Sequence, residues 1–323
     1  MTGRKDATTA GAALLVAAVV GLAVAPGLEP GVQDLGTTLL VYLTVAQAWN
    51  ILAGFAGQVS LGAAAFVATG AYTAGLALAH TSIGWAAAVA LAGAIAGLIA
   101  AMLAVPLLRL RGDYFTIGTL AASIAVQALL TNWNWAGGAS GLTLPIDRIP
   151  AGTTLLRLAV VVAAAAMGLT AYVRYSAFGL RLGALRDNEP AAAGLGVAVY
   201  GHRFATWVGS SVLTGMAGAV VAYQYVAVSP SGVASVNWSL DAVLMALVGG
   251  AGSLIGPVLG TTIVYYGLTR MLEDFQVLSL LVEGTLLVLI VRFAPAGVLA
   301  LLTRAARPLR RAATLPAAGT EPA

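Results

Sequence analysis

The residues able to do chemistry are few, and many of them are gathered in one place. The chain has 323 residues, of which 16 are Lys or Arg and 12 are Asp or Glu. Residues 174–203 form the longest break in an otherwise apolar sequence and carry Arg174, Arg181, Arg186 and Arg203 against Asp187 and Glu189. The middle of this stretch reads as a short helix. Asp187 or Asn188 can accept hydrogen bonds from its first free amides, and Pro190 suits its first turn. Ala191, Ala192 and Ala193 favour helix, and Gly194 or Gly196 can end it. A capped, charged helix between two apolar runs suits the docking of a cytoplasmic partner. It equally suits a solvated loop that only fixes topology.

Other chemistry is missing. The two histidines, His80 and His202, are far apart, there is no cysteine, and Lys5 is the sole lysine. No metal-ligand cluster, no Ser/His/Asp set in plausible spans and no Gly-x-x-x-x-Gly-Lys-Ser/Thr loop occurs. A phosphate-binding loop of that type is therefore absent, and any ATP used must be hydrolysed by a partner. An intramembrane enzyme is the least supported reading, and no cofactor is implied. Glu283 is the one carboxylate well inside an apolar run. Such a residue is a functional candidate by default, with a buried, protonated carboxyl as the plainer alternative. Asp241, at the end of a run, reads as interfacial.

These residues must be positioned by membrane helices. The chain is 60% hydrophobic and 9% charged, with a mean hydropathy of +0.93. Soluble domains carry about 25% charged residues. Apolar runs lie at 10–25, 36–54, 60–79, 85–108, 114–131, 154–173, 204–226, 239–249, 254–270 and 276–292. Most approach the ~20 residues a helix needs to cross the hydrocarbon. The expectation is an all-α polytopic membrane protein with about ten transmembrane helices, some of them discontinuous. The run 239–249 is short and reads as a half-helix. The first run ends in Ala23-Val24-Ala25, which resembles a signal-peptidase site, but its length favours a retained span.

With the N-terminus in the cytoplasm and the runs alternating, Arg4, Lys5, Arg109, Arg111, Arg174, Arg181, Arg186, Arg203, Arg292, Arg304, Arg307, Arg310 and Arg311 fall inside. Only Arg148, Arg157 and Arg270 fall outside, which agrees with the positive-inside rule. Both termini are then cytoplasmic, in a bacterial or archaeal-type plasma membrane. The organisation is a cytoplasmic start at 1–9, a transmembrane domain at 10–300 containing the loop 174–203, and a basic tail at 301–323 suited to anionic lipid. The net charge of +4 follows this topology and is no nucleic-acid footprint. Trp133, Trp135 and Trp238 read as interfacial anchors.

Glycine is concentrated where helices must break or pack closely. Gly93-x-x-x-Gly97 and Gly256-x-x-x-Gly260 are faces suited to close helix contact. Two stretches, 54–62 and 249–257, interrupt apolar runs. The first contains Gly54, Gly57, Gln58, Ser60 and Gly62, the second Gly249, Gly250, Gly252 and Ser253. Irregular backbone at membrane depth survives only when buried in protein or lining a cavity. Paired glycine interruptions point to a transport pathway, and half-helix N-termini there favour an anionic substrate group. Two tight cytoplasmic turns are the alternative.

Several motifs together carry a resemblance: Gly54-Phe-Ala-Gly-Gln-Val-Ser-Leu-Gly-Ala-Ala-Ala-Phe66 with Gly70-Ala-Tyr72, Leu108-Arg-Leu-Arg-Gly-Asp-Tyr-Phe115, Gly137-Gly-Ala-Ser-Gly-Leu142, residues 184–196, residues 247–260 and Pro295-Ala-Gly-Val298. In this order, over roughly residues 40–300, the chain resembles a permease subunit of the branched-chain amino acid ABC importers, the member that pairs with a second, homologous permease. The family often has His where Ala63 stands, so no role for that imidazole carries over. The resemblance implies a type II-like importer permease fold. It also implies a second homologous permease, two cytoplasmic ATPases and an extracytoplasmic substrate-binding protein. The loop that meets the ATPase then matches 184–196, with Arg186, Asp187, Asn188, Glu189, Pro190, Ala191, Ala192, Gly194 and Gly196. The substrate would be a branched-chain amino acid or a related small amino acid or amide. A simple-sugar ABC permease and an ATP-independent secondary transporter remain the other readings.

Overall fold

The computed structural model describes residues 21–23, 25–269, 276–293 and 297, and across them the chain is a bundle of helices. Backbone groups in hydrocarbon have no water to bond, so each apolar run closes its hydrogen bonds within itself. Helix α1 (Pro30–Trp49) continues into a π-helical turn, Asn50–Phe55. Then come α2 (Ala63–His80), α3 (Trp85–Leu107), α4 (Asp113–Asn132) and α5 (Gly152–Tyr175). Two short helices, α6 (Ala177–Asp187) and α7 (Glu189–Gly194), fill the charged stretch. The chain continues with α8 (Val199–Tyr225), α9 (Pro230–Val233), α10 (Asn237–Gly249), α11 (Gly256–Val264) and α12 (Gln276–Phe293).

Seven segments of the described residues are long and apolar enough to cross a membrane. The first run, 10–25, lies largely outside the described residues. The run 254–270 is divided into the nine residues of α11 and a π-helical turn, Tyr265–Thr269. At 1.5 Å per residue α11 reaches only about half of the hydrocarbon thickness. The short run 239–249, read as a half-helix, lies in the 13 residues of α10, which with α9 makes one candidate span of 20 residues.

Helix α8 runs through the centre of the bundle, buried on most sides from Thr206 to Tyr223. Small residues let it approach its neighbours closely. A Cβ at Gly70 of α2 would collide with the Gly215 carbonyl, and one at Gly218 with the Val67 carbonyl. Gly93 and Gly97 of α3 face Val212 and Met216 of α8, as their spacing predicts. Around this seam Trp49, Val67, Tyr72, Val89, Leu155, Val220 and Ala246 join one apolar core. Helix α4, by contrast, leaves most of its surface uncovered by this chain, with Ile117, Ile124 and Leu129 all exposed.

The connections sort into two ends. At one, Leu142 and Thr143 pair antiparallel with Val228 and Ala227. There too, Arg148 donates to the carbonyls of Leu78 and Thr81, and Gln224 donates to Asp34 Oδ1 at 2.6 Å. His80 stacks on Trp135 at this end. At the other end lie α6, α7 and most of the described arginines.

Candidate functional site

At the arginine-rich end, local sequence fixes a rigid tip. Asn188, not Asp187, is the cap of α7: its Oδ1 accepts the Ala191 amide at 3.0 Å. Asp187 is turned to solvent and pairs with Arg186 at 3.3 Å. Pro190 sits in the first turn, where its missing N–H costs nothing. Gly196, at φ 84°, turns the chain out of the helix, and the Gly196 and Val197 amides reach back to the carbonyls of Ala193 and Ala192. Both ends of a six-residue helix are thus closed.

One side of this tip is anchored and the other is bare. Ala192 is buried, and Glu189 is held by Arg203 at 2.6 Å and more loosely by Arg111 at 3.8 Å. Glu189 therefore ties α7 to α8 in addition to facing the positive helix end. Outward stand Leu195, 85% exposed, and Leu180, 77% exposed, with Tyr200 and Tyr114 also uncovered. A cleft of ≈540 Å³ separates α7 from the turn after α3 and is lined by Arg109, Arg111, Glu189, Pro190, Tyr200 and Arg203.

The first glycine break is an extended segment caught by other helices. Trp49 Nε1 donates to the Ser60 carbonyl at 2.9 Å. From α4, Thr116 donates to the Val59 carbonyl, Thr119 Oγ1 accepts the Leu61 amide at 3.0 Å, and Ser123 donates to the Leu61 carbonyl. From α10, Ser239 Oγ donates to the Leu61 carbonyl at 2.9 Å and accepts the Ala64 amide at 3.1 Å. The start of α2 is thereby occupied by the protein itself. Gln58 and Ser60 are buried, and Thr206 donates to Gln58 Oε1 at 3.3 Å. Ser60, Gly62 and Ala63 line a cavity of only ≈10 Å³ with Trp49, Trp207, Ser210 and Thr214. That is room for about one water, far below the ~300 Å³ or more of a ligand site.

The second break is a tight turn. Ser253 Oγ donates to the Gly250 carbonyl at 2.8 Å and accepts the Gly256 amide at 2.9 Å. A Cβ at Gly249 would meet the Gly256 carbonyl, and one at Gly260 the Met245 carbonyl. Gly297 also packs against Gly250.

The two breaks and the charged stretch converge. Asn50 Oδ1 accepts the Gly252 amide at 2.7 Å, and its Nδ2 donates to the Ser253 carbonyl at 2.8 Å. Gln47 donates to the Leu254 carbonyl, and Thr170 of α5 donates to Gln47 Oε1. Arg186 Nη1 then donates to the Gly54 carbonyl at 2.8 Å. Gly54, Gly57, Gly252, Ser253 and Arg186 therefore form one cluster, whereas Gln58, Ser60 and Gly62 lie deeper, against α4, α8 and α10.

Sequence reasoning missed Gln47, Asn50, Thr119, Ser123 and Ser239. Their signal was present: uncharged polar side chains inside apolar runs mark contacts the backbone needs. Asp241, expected at an interface, is buried on α10. His202 stacks on Phe178 at the arginine-rich end, across the bundle from His80. Among the described residues no three of His, Cys, Asp and Glu are grouped to hold a metal. The backbone at Glu283 lies in α12, and its side chain is outside the described residues, as are Arg4, Lys5, Arg270 and the tail 301–323.

Known proteins resemble this chain over most of its length. The family model described as the branched-chain amino acid transport system permease component matches residues 31–291. The high-affinity branched-chain amino acid transport system permease protein LivM of Escherichia coli is 28% identical over 91% of this chain and 76% of that protein. The Salmonella typhimurium protein of the same name is 28% identical over 83% of this chain and 70% of its own length. A probable branched-chain amino acid transport permease protein LivM of Methanocaldococcus jannaschii is 25% identical over 66% of this chain and 67% of its length. No solved structure matches.

Proposed function

As the chain belongs to the family of permease components of branched-chain amino acid transport systems, we propose that it is the membrane permease subunit of an ATP-driven importer for branched-chain amino acids or related small amino acids and amides. It shares the pathway with a second, homologous permease. Two ATPases bind in the cytoplasm, and a substrate-binding protein delivers substrate from outside. The arginine-rich end faces the cytoplasm, and both termini lie there, in the plasma membrane.

The observation that carries this reading is the tip around α7. Large exposed apolar side chains in a water-facing loop mark an interaction site. Here Leu180, Leu195 and Tyr200 surround a helix capped at both ends and pinned by Glu189 to Arg203. A rigid, apolar-tipped helix presents a surface a partner can push without deforming it. ATP binding to the ATPase pair would move α7, and transport states would interconvert because the partners favour them unequally. We place the path between this chain and its partner permease, beside Gly54, Gly57, Gln58, Ser60, Gly62, Gly249, Gly250, Gly252 and Ser253.

Two experiments test this reading. The first identifies which ligand protects the receptor encoded beside this chain from thermal unfolding: a branched-chain amino acid is expected, and a simple sugar would contradict the substrate assignment. The second uses Ala192→Pro in reconstituted complexes of matched subunit content. Pro removes the Ala192 amide that bonds the Asn188 carbonyl at 3.0 Å and costs a helix about 3 kcal/mol. Substrate-stimulated ATP hydrolysis and uptake should be lost, with membrane insertion and pairing intact. Uptake at the parent rate would refute the coupling role of α7.

A further inference from the structure

We infer that Arg186 is the link through which movement of the docking helix reaches both glycine breaks, a positioning residue for coupling; the inference rests on the importer reading above. Arg186 occupies the last turn of α6, two residues before the Asn188 cap of α7. Its guanidinium makes two contacts, one to another element and one to its own neighbour on α6. Nη1 donates to the Gly54 carbonyl at 2.8 Å, and Nε donates to Asp187 Oδ1 at 3.3 Å. A planar fork with separated donors can hold both partners at once, which a lysine ammonium on one flexible stem does less well.

The acceptor side is built for this contact. The π-helical turn Asn50–Phe55 ends α1 there, and a cation is favoured at the carbonyl end of a helix. Gly57, at φ 68°, passes directly beneath the arginine, and a Cβ there would lie 2.7 Å from Arg186 Cγ. On the far side of the same turn, Gly54 packs against Gly252 with no room for a side chain, and Asn50 bonds the Gly252 amide and the Ser253 carbonyl. Arg174, at the other end of the charged loop, donates to the Gly252 carbonyl at 3.5 Å. Pulling Arg186 therefore pulls Gly54, and Gly54 cannot move without Gly252. One side chain joins the water-facing tip to two breaks in the membrane part that are about 200 residues apart, as the Asn50–Ser253 separation of 203 shows. Coupling requires such a physically contiguous element, biased by the partner at one end.

The absence of native cysteine allows a direct test. Spin labels are placed on Ala191→Cys and Ile255→Cys, each paired with a reference label on Met102→Cys, in the complete complex in nanodiscs. Ile255 and Met102 are both exposed. ATP–vanadate trapping should shift the 102–191 and 102–255 distances in the parent. With Arg186→Ala the 102–191 distance should still shift and the 102–255 distance should stay at its resting value. In the same complexes uptake should fall about tenfold or more, within the usual range of coupling effects, while basal ATP hydrolysis persists. Arg186→Lys should recover part of both. A 102–255 shift of parent size in Arg186→Ala overturns the inference. So does loss of ATPase binding in the Ala and Lys variants alike, which would make Arg186 a folding residue. If neither distance responds in the parent complex, the importer reading itself fails.

Discussion

The break at residues 54–62 is held mainly by hydroxyl groups reaching in from other helices, whereas the break at residues 249–257 is held by backbone packed on backbone in addition to the amide side chains of Gln47 and Asn50. The first lays an extended segment across α4 and α10, with Thr116, Thr119, Ser123 and Ser239 bonding its peptide groups. The second closes on itself through Ser253 and the stacked glycines 249, 256 and 260. Hydroxyl contacts can be exchanged one at a time for about 1 kcal/mol each. A steric contact between backbones has no intermediate setting. The first break is thus suited to exchange its contacts during transport, and the second to move as one rigid piece with the elements tied to it.

The sharpest test of the contrast lies at the rigid side. Gly260→Leu forces a side chain into the Met245 carbonyl, and overpacking of this kind costs about 3 kcal/mol or more because backbone must move. We expect loss of the monodisperse peak in size-exclusion chromatography. A normal peak would show that α10 and α11 can separate and that the second break is not one rigid piece.

Asn50→Ala removes the tie between the breaks and takes away the side-chain partner of the half-buried Gly252 amide and Ser253 carbonyl, at about 1 kcal/mol per lost hydrogen bond. The expected result is a complex that assembles but unfolds several degrees lower and transports poorly. Unchanged melting and uptake would mean the breaks are energetically independent.

A smaller effect separates the two breaks most cleanly. Ser239→Ala and Ser253→Ala each remove one hydroxyl, and each should cost about 1 kcal/mol of stability. Ser239→Ala should also change the uptake rate, because it frees the Ala64 amide at the start of α2 and leaves the Leu61 carbonyl to Ser123 alone. Ser253→Ala should leave the uptake rate unchanged. Equal effects of the two on uptake would erase the distinction.

The sequence and structure agree best where the determinants are local. The short helix α7 is legible because Asn188, Pro190 and Gly196 act within a few residues of one another. The helical class and the close faces at Gly93, Gly97, Gly256 and Gly260 are legible because periodicity and residue size suffice. What connects the breaks is not legible. Nothing near Asn50 announces Gly252, and nothing near Arg186 announces Gly54, since these partners meet only after the bundle forms. The same holds for Glu189: its helix-end position is visible, but its grip by Arg203 requires α8 to fold back past α7. The glycine composition marks both breaks equally, and the difference between them lies in Ser239 and Thr119, which belong to other helices.

The central claim, that the tip around α7 receives the ATPase, is tested most directly at Leu195. Its side chain is 85% exposed, so Leu195→Asp should leave folding and pairing of the permease untouched. It places a charge at the apolar centre of the proposed contact, where truncating a hot-spot side chain costs about 2 kcal/mol or more. Binding of the purified ATPase subunit to the permease pair in nanodiscs should weaken about thirtyfold, the same energy expressed as an affinity. Undiminished ATPase affinity in Leu195→Asp, with the permease intact, would contradict the account.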